Sequence, residues 1–338
     1  MPSSFNMILF LIGIFRLTAV SSEILELQPG DSCRPLGGGQ GTCVLLRQCE
    51  TVGDFKRNHP PICSFNGREP IICCKINKAQ KLCPMLDNRC RKNLLISRFV
   101  NGGTEAAPRT HNYMVLIGYG EIKKQWQCGG SLITARYVLS AAHCSNPSLI
   151  GPARWARLGE LDISSTSEDA KPVDKAIIER IPYPKYTDKE LYHDIALFKL
   201  DSDVAFNRYV LPICLHTMRA ITSEEATVVG WGRTGFIEAT SEKLLEADIR
   251  IYNDTECKRL NSATAWTPLG HNADQMICAG VPGGTKGTCQ GDSGGPLVIR
   301  ETGMCIRTQL GITSFGSPCG NPDSLDVYTR VSNYISWI

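Results

Sequence analysis

From Phe99 to the end of the chain, short apolar runs recur: Tyr113 to Ile117, Tyr137 to Ala142, Ile195 to Leu200, Ala226 to Val229, Leu297 to Ile299 and Leu310 to Thr313. Gly, Pro and polar clusters separate them. Many short strands punctuated by turn signals predict an all-β sandwich or barrel. The phase changes only at the end, where Val331, Tyr334, Ile335 and Ile338 fall on one helical face and predict the start of a helix. The front of the chain has another texture. Met7 to Phe15 is apolar, and small residues follow at Ala19, Ser21 and Ser22. A run too short for a bilayer, trailed by small residues, reads as a secretory signal peptide over residues 1–22. No later stretch is long and apolar enough to span a membrane.

The 338 residues have room for more than one domain, and 42% of them are apolar, enough to fill a core. Net charge is +3, from 36 basic and 33 acidic residues, with no dense basic run. That balance excludes a nucleic-acid binder. The 16 cysteines set the compartment: an even, high count behind a signal peptide reads as disulfides in a secreted, extracellular protein. Cys73 and Cys74 are adjacent and no pair of CxxC motifs occurs, which disfavours a zinc site. Six cysteines, Cys33, Cys43, Cys49, Cys63, Cys73 and Cys74, crowd into a block too small to bury much core, so cross-links must hold it. Residues 75–98, rich in Lys, Arg and Asn and carrying Cys83 and Cys90, read as a linker.

Three short motifs carry chemistry. Gly291-Asp292-Ser293-Gly294-Gly295-Pro296 frames a serine with glycines, which permits a tight turn whose N–H groups, those of Gly291 and Ser293, converge on one spot. Ala141-Ala142-His143-Cys144 places an imidazole beside a cysteine that can anchor it. Asp194-Ile195-Ala196-Leu197 sets a carboxylate at the mouth of a buried strand, where it needs a partner such as an imidazole Nδ1–H. A serine nucleophile needs a base, a group that orients the base, and donors for the oxyanion.

Taken together, these motifs, in the order His, Asp, Ser, resemble the chymotrypsin family from about Phe99 to Ile338. The resemblance implies two six-stranded antiparallel β-barrels with a short C-terminal helix and an active site between the barrels. It implies His143 as general base, Asp194 as orienting acid, Ser293 as nucleophile, and Gly291 and Ser293 as oxyanion donors. Ser314-Phe315-Gly316 resembles the edge strand that pairs with substrate, with Phe315 in place of the usual Trp. The spacing C-x9-C-x5-C-x13-C-x9-C-C over residues 33–74 resembles the clip domain of arthropod extracellular proteases. Sequence permits 15 pairings of six cysteines; the resemblance implies Cys33–Cys73, Cys43–Cys63 and Cys49–Cys74. Such proteases act in cascades of immunity, melanisation, clotting or patterning. The expected partners are a protein substrate, often a downstream zymogen or pro-protein, an upstream activating protease, and a protein inhibitor such as a serpin. The alternative is a non-catalytic homologue serving as a cascade cofactor; the intact Ser293, His143 and Asp194 favour the enzyme.

Family position implies further features. Ser97-Arg98-Phe99-Val100 resembles an activation junction cut after Arg98, the new α-amine of Phe99 pairing with Asp292; Phe99 is larger than the usual Ile or Val. Residues 99–338 would be the protease domain. Gly287 replaces the Asp at the base of a trypsin-like specificity pocket, while Asp326 supplies a carboxylate from the opposite wall, which predicts cleavage after Arg and Lys at reduced stringency. Pairs Cys128–Cys144, Cys257–Cys278 and Cys289–Cys319 are implied, with Cys90–Cys214 and Cys83–Cys305 in the linker; an exchange of Cys83 and Cys90 stays open. Asn253-Asp254-Thr255 is a glycosylation sequon. Glu160 and Glu168 lie where the family carries a calcium loop, but a solvated loop is the favoured reading. No cofactor is expected.

Overall fold

The computed structural model describes residues 27–29, 31–36, 38–46, 49, 59–75, 83, 85–87, 104–233, 239–281, 291–301, 305–316 and 325–338. The expected signal peptide and Arg98, Phe99, Gly287, Cys90, Cys289 and Cys319 lie outside them.

The N-terminal cysteine block folds as a four-stranded sheet in the order β1-β2-β4-β3, from β1 (Ser32–Cys33), β2 (Gly41–Leu45), β3 (Ile62–Asn66) and β4 (Glu69–Lys75). Its core is little more than Cys43, Cys63, Ile71 and Cys73. Disulfides Cys33–Cys73, Cys43–Cys63 and Cys49–Cys74 cross-link it. Loop-closing bonds of this kind are worth typically about 2–4 kcal/mol each, which offsets so small a core.

The first barrel closes in the order β10-β11-β8-β7-β6-β9. Its strands are β6 (Met114–Tyr119), β7 (Gln125–Leu132), β8 (Tyr137–Ser140), β9 (Trp155–Leu158), β10 (Val173–Pro182) and β11 (Ala196–Leu200). The second barrel runs β17-β16-β13-β14-β15-β18 and closes through a β17–β18 pairing. It uses β13 (Glu225–Gly230), β14 (Leu245–Tyr252), β15 (Met276–Gly280), β16 (Pro296–Ile299), β17 (Thr308–Phe315) and β18 (Asp326–Arg330). Two short strands add to its rim: β5 (Thr104–Glu105) on β14 and β12 (Cys214–Leu215), parallel to β17. The long helix in the chain's second half is α1 (Asp254–Leu260), capped by Asn253, whose Oδ1 accepts from the Thr255 and Glu256 N–H groups. The terminal apolar face does bury Val331 and Tyr334, but as a 3₁₀ turn over Val331–Tyr334.

The core of the first barrel extends into the second, which also keeps a core of its own around Ile249, Ile277, Leu310 and Tyr328. Leu132, Leu139, Ile195 and Phe198 of the first are fully buried with Val229, Val298 and Ile312 of the second. Ser131 Oγ on β7 donates to Gln309 Oε1 on β17 at 2.5 Å, a buried polar link between the barrels.

The linker cysteines depart from the expected pairing. Cys214 bonds to Cys83, not to Cys90, and Cys83 is therefore not the partner of Cys305. Residues 83 and 85–87 are helical, Leu86 is buried, and Asp87 Oδ1 accepts from the Cys305 and Ile306 N–H groups. This docked turn carries Cys83 to β12. Cys305 is itself disulfide-bonded, to a partner outside the described residues.

Two glycines with the same backbone twist should respond differently to a methyl group. Gly151 (φ +78°) faces open space, whereas a Cβ on Gly294 (φ +79°) would lie 2.6 Å from Gly129 O and against Ser140 Oγ. Gly151→Ala should cost about 1–2 kcal/mol, the left-handed penalty alone. Gly294→Ala should cost well beyond that or abolish folding, read from the two thermal midpoints.

Candidate active site

His143 sits in a 3₁₀ turn, Ala142–Cys144, directly after β8. Cys144 is bonded to Cys128 on β7, and the Tyr119 hydroxyl donates to Cys144 O at 2.8 Å. The turn therefore cannot swing away from the barrel. Asp194 precedes β11 and is 0% exposed. Its carboxylate takes three donors: His143 N–H at 2.9 Å on Oδ1, and His143 Nδ1 at 2.7 Å and Ser314 Oγ at 2.5 Å on Oδ2. Thr329 Oγ1 on β18 donates to Asp194 O at 2.8 Å. A carboxylate only accepts, so Nδ1 holds the imidazole proton and Nε2 is left with a lone pair. The His143 side chain is 27% exposed, open to the cleft on that side.

Burial alone would raise the Asp194 carboxyl. The charge of His143 and the hydrogen bonds from His143 and Ser314 outweigh it and hold Asp194 below the ordinary carboxylate range. In the reverse direction, burial would lower His143, and Asp194 overcomes this and raises it. An ionised acid beside an imidazole of raised basicity is what proton abstraction needs.

Ser293 arrives from the second barrel. Its carbonyl accepts from Gly129 N at 2.7 Å and lies 3.6 Å from Cys144 Sγ, which has no hydrogen and makes a contact only. These contacts set Ser293 beside the His143 turn. The N–H groups of Gly294 and Gly295 are taken by Thr313 O and Asp292 O. Those of Gly291 and Ser293 have no backbone partner among the described residues. Gly291 has φ +103°, a conformation that suits glycine. Asp292 Oδ1 accepts from Gly232 N at 2.8 Å, and any Cβ on Gly230 or Gly232 would overlap its carboxylate. Gly230 and Gly232, which have no side chains, thus form a cradle for Asp292.

Ser314 and Phe315 end β17, and Phe315 packs on Tyr192, Met276 and Val327. Ser314, expected on the substrate strand, also donates to Asp194. Asp326 opens β18 opposite Ala279, half-buried, and a Cβ on Gly316 would sit 3.2 Å from its Cγ. Gly129, Gly232 and Thr329 carry no motif that marks them in sequence; each acts through one N–H or one hydroxyl.

At the loop where calcium was weighed, Glu160 Oε1 accepts from Leu161 N and Oε2 pairs with Arg157 at 3.3 Å. Burial raises Glu160 above the ordinary carboxylate range. Glu168 Oε2 is buried with no hydrogen-bond partner. Glu160 thus spends one carboxylate oxygen on a backbone N–H and the other on an arginine. Cysteine and histidine clusters at Cys33/Cys43/Cys63, Cys128/His143/Cys144 and Cys257/His271/Cys278 have their sulfurs in disulfides and offer no thiolate to a metal. No helix among the described residues is long and apolar enough to cross a membrane.

Residues 100–338 match the family model described as Trypsin. The chain is 32% identical to "Serine protease snk" of Drosophila melanogaster, over 95% of this chain and 80% of that one. It is 30% identical to "Phenoloxidase-activating factor 1" of Holotrichia diomphalia, over 97% of each. It is 29% identical to "CLIP domain-containing serine protease B4" of Anopheles gambiae, over 98% of each. A likeness that runs through the cysteine sheet as well as the barrels places this serine endopeptidase in the trypsin family, among the arthropod clip-domain serine proteases.

Proposed function

We propose that the chain is a secreted zymogen of an extracellular proteolytic cascade, silent until cut after Arg98, with a signal peptide over 1–22, a clip domain over 33–74, a linker over 75–98 and a protease domain over 99–338. The observation that carries the catalytic reading is the buried Asp194 carboxylate, which accepts twice from His143 and once from Ser314. His143 Nε2 takes the proton of Ser293 Oγ as that oxygen attacks the scissile carbonyl, and returns it to the leaving amine. Water then repeats the cycle on the acyl-enzyme. The N–H groups of Gly291 and Ser293 stabilise the oxyanion; one such donor is typically worth about 10²–10³ in rate. Ser293→Ala, cleaved in parallel with wild type, tests the assignment: it should bind substrate and turn none over.

A relative named for activating phenoloxidase supports a downstream zymogen or pro-protein as substrate. The upstream partner is a protease that cuts after basic residues, and a serpin is the expected inhibitor. The cascade is one of immunity, melanisation, clotting or patterning. Asn253 lies exposed at the α1 N-terminus with Nδ2 available for a glycan while Oδ1 caps the helix.

Activation has a covalent consequence. Cys83 lies before Arg98 and Cys214 after it, and the two are bonded. Trypsin-treated zymogen should gain activity with a new N-terminus at Phe99, running as one band unreduced and two bands reduced. Two bands without reductant, or activity without that N-terminus, would refute the scheme.

The raised basicity of His143 fixes the acid limb of activity. The base works only when neutral, so kcat/KM should fall as pH drops through a midpoint above 6.5, the ordinary histidine value. Asp194→Asn should move that midpoint down while cutting kcat by about 10⁴. A wild-type midpoint below 6.5 contradicts the coupling.

Asp326 is proposed to give the specificity pocket its charge, beside Gly316. A half-buried carboxylate in a narrow pocket favours a cationic side chain. The activated enzyme should cleave a peptide library after Arg and Lys, with Leu and aromatic residues tolerated. Asp326→Gly should remove the basic preference and spare apolar substrates; equal cleavage after Arg by that variant would acquit Asp326.

A further inference from the structure

Asp194 is aimed by its own backbone as well as by its hydrogen bonds. The Ile195 N–H donates to His193 O at 2.8 Å, so Asp194 is the central residue of a three-residue turn. The residue before it, His193, has φ +58°. Among the described residues only Arg109 (φ +67°) shares this left-handed conformation without being glycine. For a residue with a Cβ it costs roughly 1–2 kcal/mol and persists only when its surroundings enforce it.

The enforcement is visible. The His193 ring stacks on Tyr183 at 5.1 Å and 24°. Its Nδ1 lies 3.1 Å from the Tyr334 hydroxyl. Tyr183 is in turn held edge-on by Tyr334 at 5.0 Å and Trp337 at 5.4 Å. Tyr334 is buried in the C-terminal 3₁₀ turn, and Tyr183 N–H donates to Ile195 O at 2.9 Å. The clamp therefore grips both sides of Asp194, from the segment after β10 and from the chain's last turn.

We propose that His193 is a positioning residue for the reaction, its ring clamped by Tyr183 and Tyr334 so that its left-handed backbone keeps the Asp194 carboxylate on His143. His193 touches neither substrate nor the reacting atoms. Burial, then Lys185, lowers its basicity, which keeps the ring neutral and able to share a hydrogen bond with Tyr334. A released residue 193 relaxes toward the ordinary backbone region and swings the turn; a small misplacement of a catalytic group costs rate far more than binding. The inference rests on the proposed roles of Asp194 and His143.

The test uses the full chain cleaved after Arg98, with wild type and Ser293→Ala in the same series and fluorogenic peptide amides ending in Arg and in Phe as substrates. Wild-type turnover that Ser293→Ala abolishes establishes the site itself; the variants of residue 193 address positioning alone. His193→Ala should lower kcat about tenfold with KM within about twofold. His193→Asn, whose side chain tolerates the left-handed region and can bond Tyr334, should recover most of kcat. Tyr334→Phe, which keeps the ring packing, should lower kcat about threefold at unchanged KM. A folded His193→Ala with wild-type kcat, or with the loss confined to KM, overturns the proposal. So does an Asn variant no better than Ala. If His193→Ala does not fold, Tyr334→Phe decides: reduced kcat at constant KM supports the proposal and unchanged kcat overturns it.

Discussion

The structure depends on one buried negative charge. Asp194 has no solvent, and a carboxylate left short of donors in such a place costs several kcal/mol. Its donors come from across the molecule: His143 from the turn after β8, Ser314 from β17, and, for its carbonyl, Thr329 from β18. The acid belongs to the first barrel; Ser314 and Thr329 belong to the second. Satisfying the charge and docking the barrels are therefore one event. The same event brings Gly129 N–H to Ser293 O, so the proposed nucleophile is aligned by the interface that hides the acid. A molecule built this way cannot lose its barrel contact and keep all the donors of Asp194.

The parts of this arrangement legible in sequence are those that obey a local rule. The apolar runs read from the sequence correspond to β6, β8, β11, β13, β16 and β17, strands buried along nearly their whole length. β7, β9, β10, β14, β15 and β18 were not among those runs; β10 and β14 each have one wet face, and in Val173–Pro182 only Ile177 is fully buried, whereas β15 is buried throughout and was missed all the same. Barrel closure through β9–β10 and β17–β18 joins strands with no shared local signal. The terminal helical face was legible, but the element it forms is a 3₁₀ turn whose Tyr334 packs edge-on against Tyr183. In the site, His143, Asp194 and Ser293 sit in motifs that their chemistry demands. Gly129 and Thr329 do not, because a backbone N–H is offered by almost any residue and a hydroxyl by many.

Disulfides divide along the same line. In the N-terminal sheet two cross-links join strands one strand apart and the third ties Cys49, beyond β2, to β4, and almost no other core exists. Cys83 is a non-local case. Its partner was decided by a helical turn that buries Leu86 and hands Asp87 to two amides near Cys305. Nothing in the spacing of Cys83 and Cys90 encodes that docking, which is a tertiary contact more than two hundred residues away in sequence.

Rigidity is distributed unevenly around Ser293, and this bears on how a complete triad can be kept silent. From Ser293 to Gly295 the backbone is fixed by Gly129 N–H, by Thr313 O and by Thr313 N–H on Gly295 O. All three bonds come from folded strands and owe nothing to a free N-terminus. Two residues earlier the support changes character. Gly291 relies on a left-handed backbone, and Asp292 points its carboxylate into a cradle formed by Gly230 and Gly232. A carboxylate in such a place is steadied most strongly by a cation, because charge-assisted hydrogen bonds are roughly twice as strong as neutral ones. On the proposed activation, the cut adds an α-amine to the groups that hold Asp292. The switch then needs to order only the segment that carries the Gly291 donor, while His143, Asp194 and Ser293 remain assembled throughout. On that proposal silence would come from one missing oxyanion donor, worth about 10²–10³ in rate, with no unfolding of the strands that hold His143, Asp194 and Ser293.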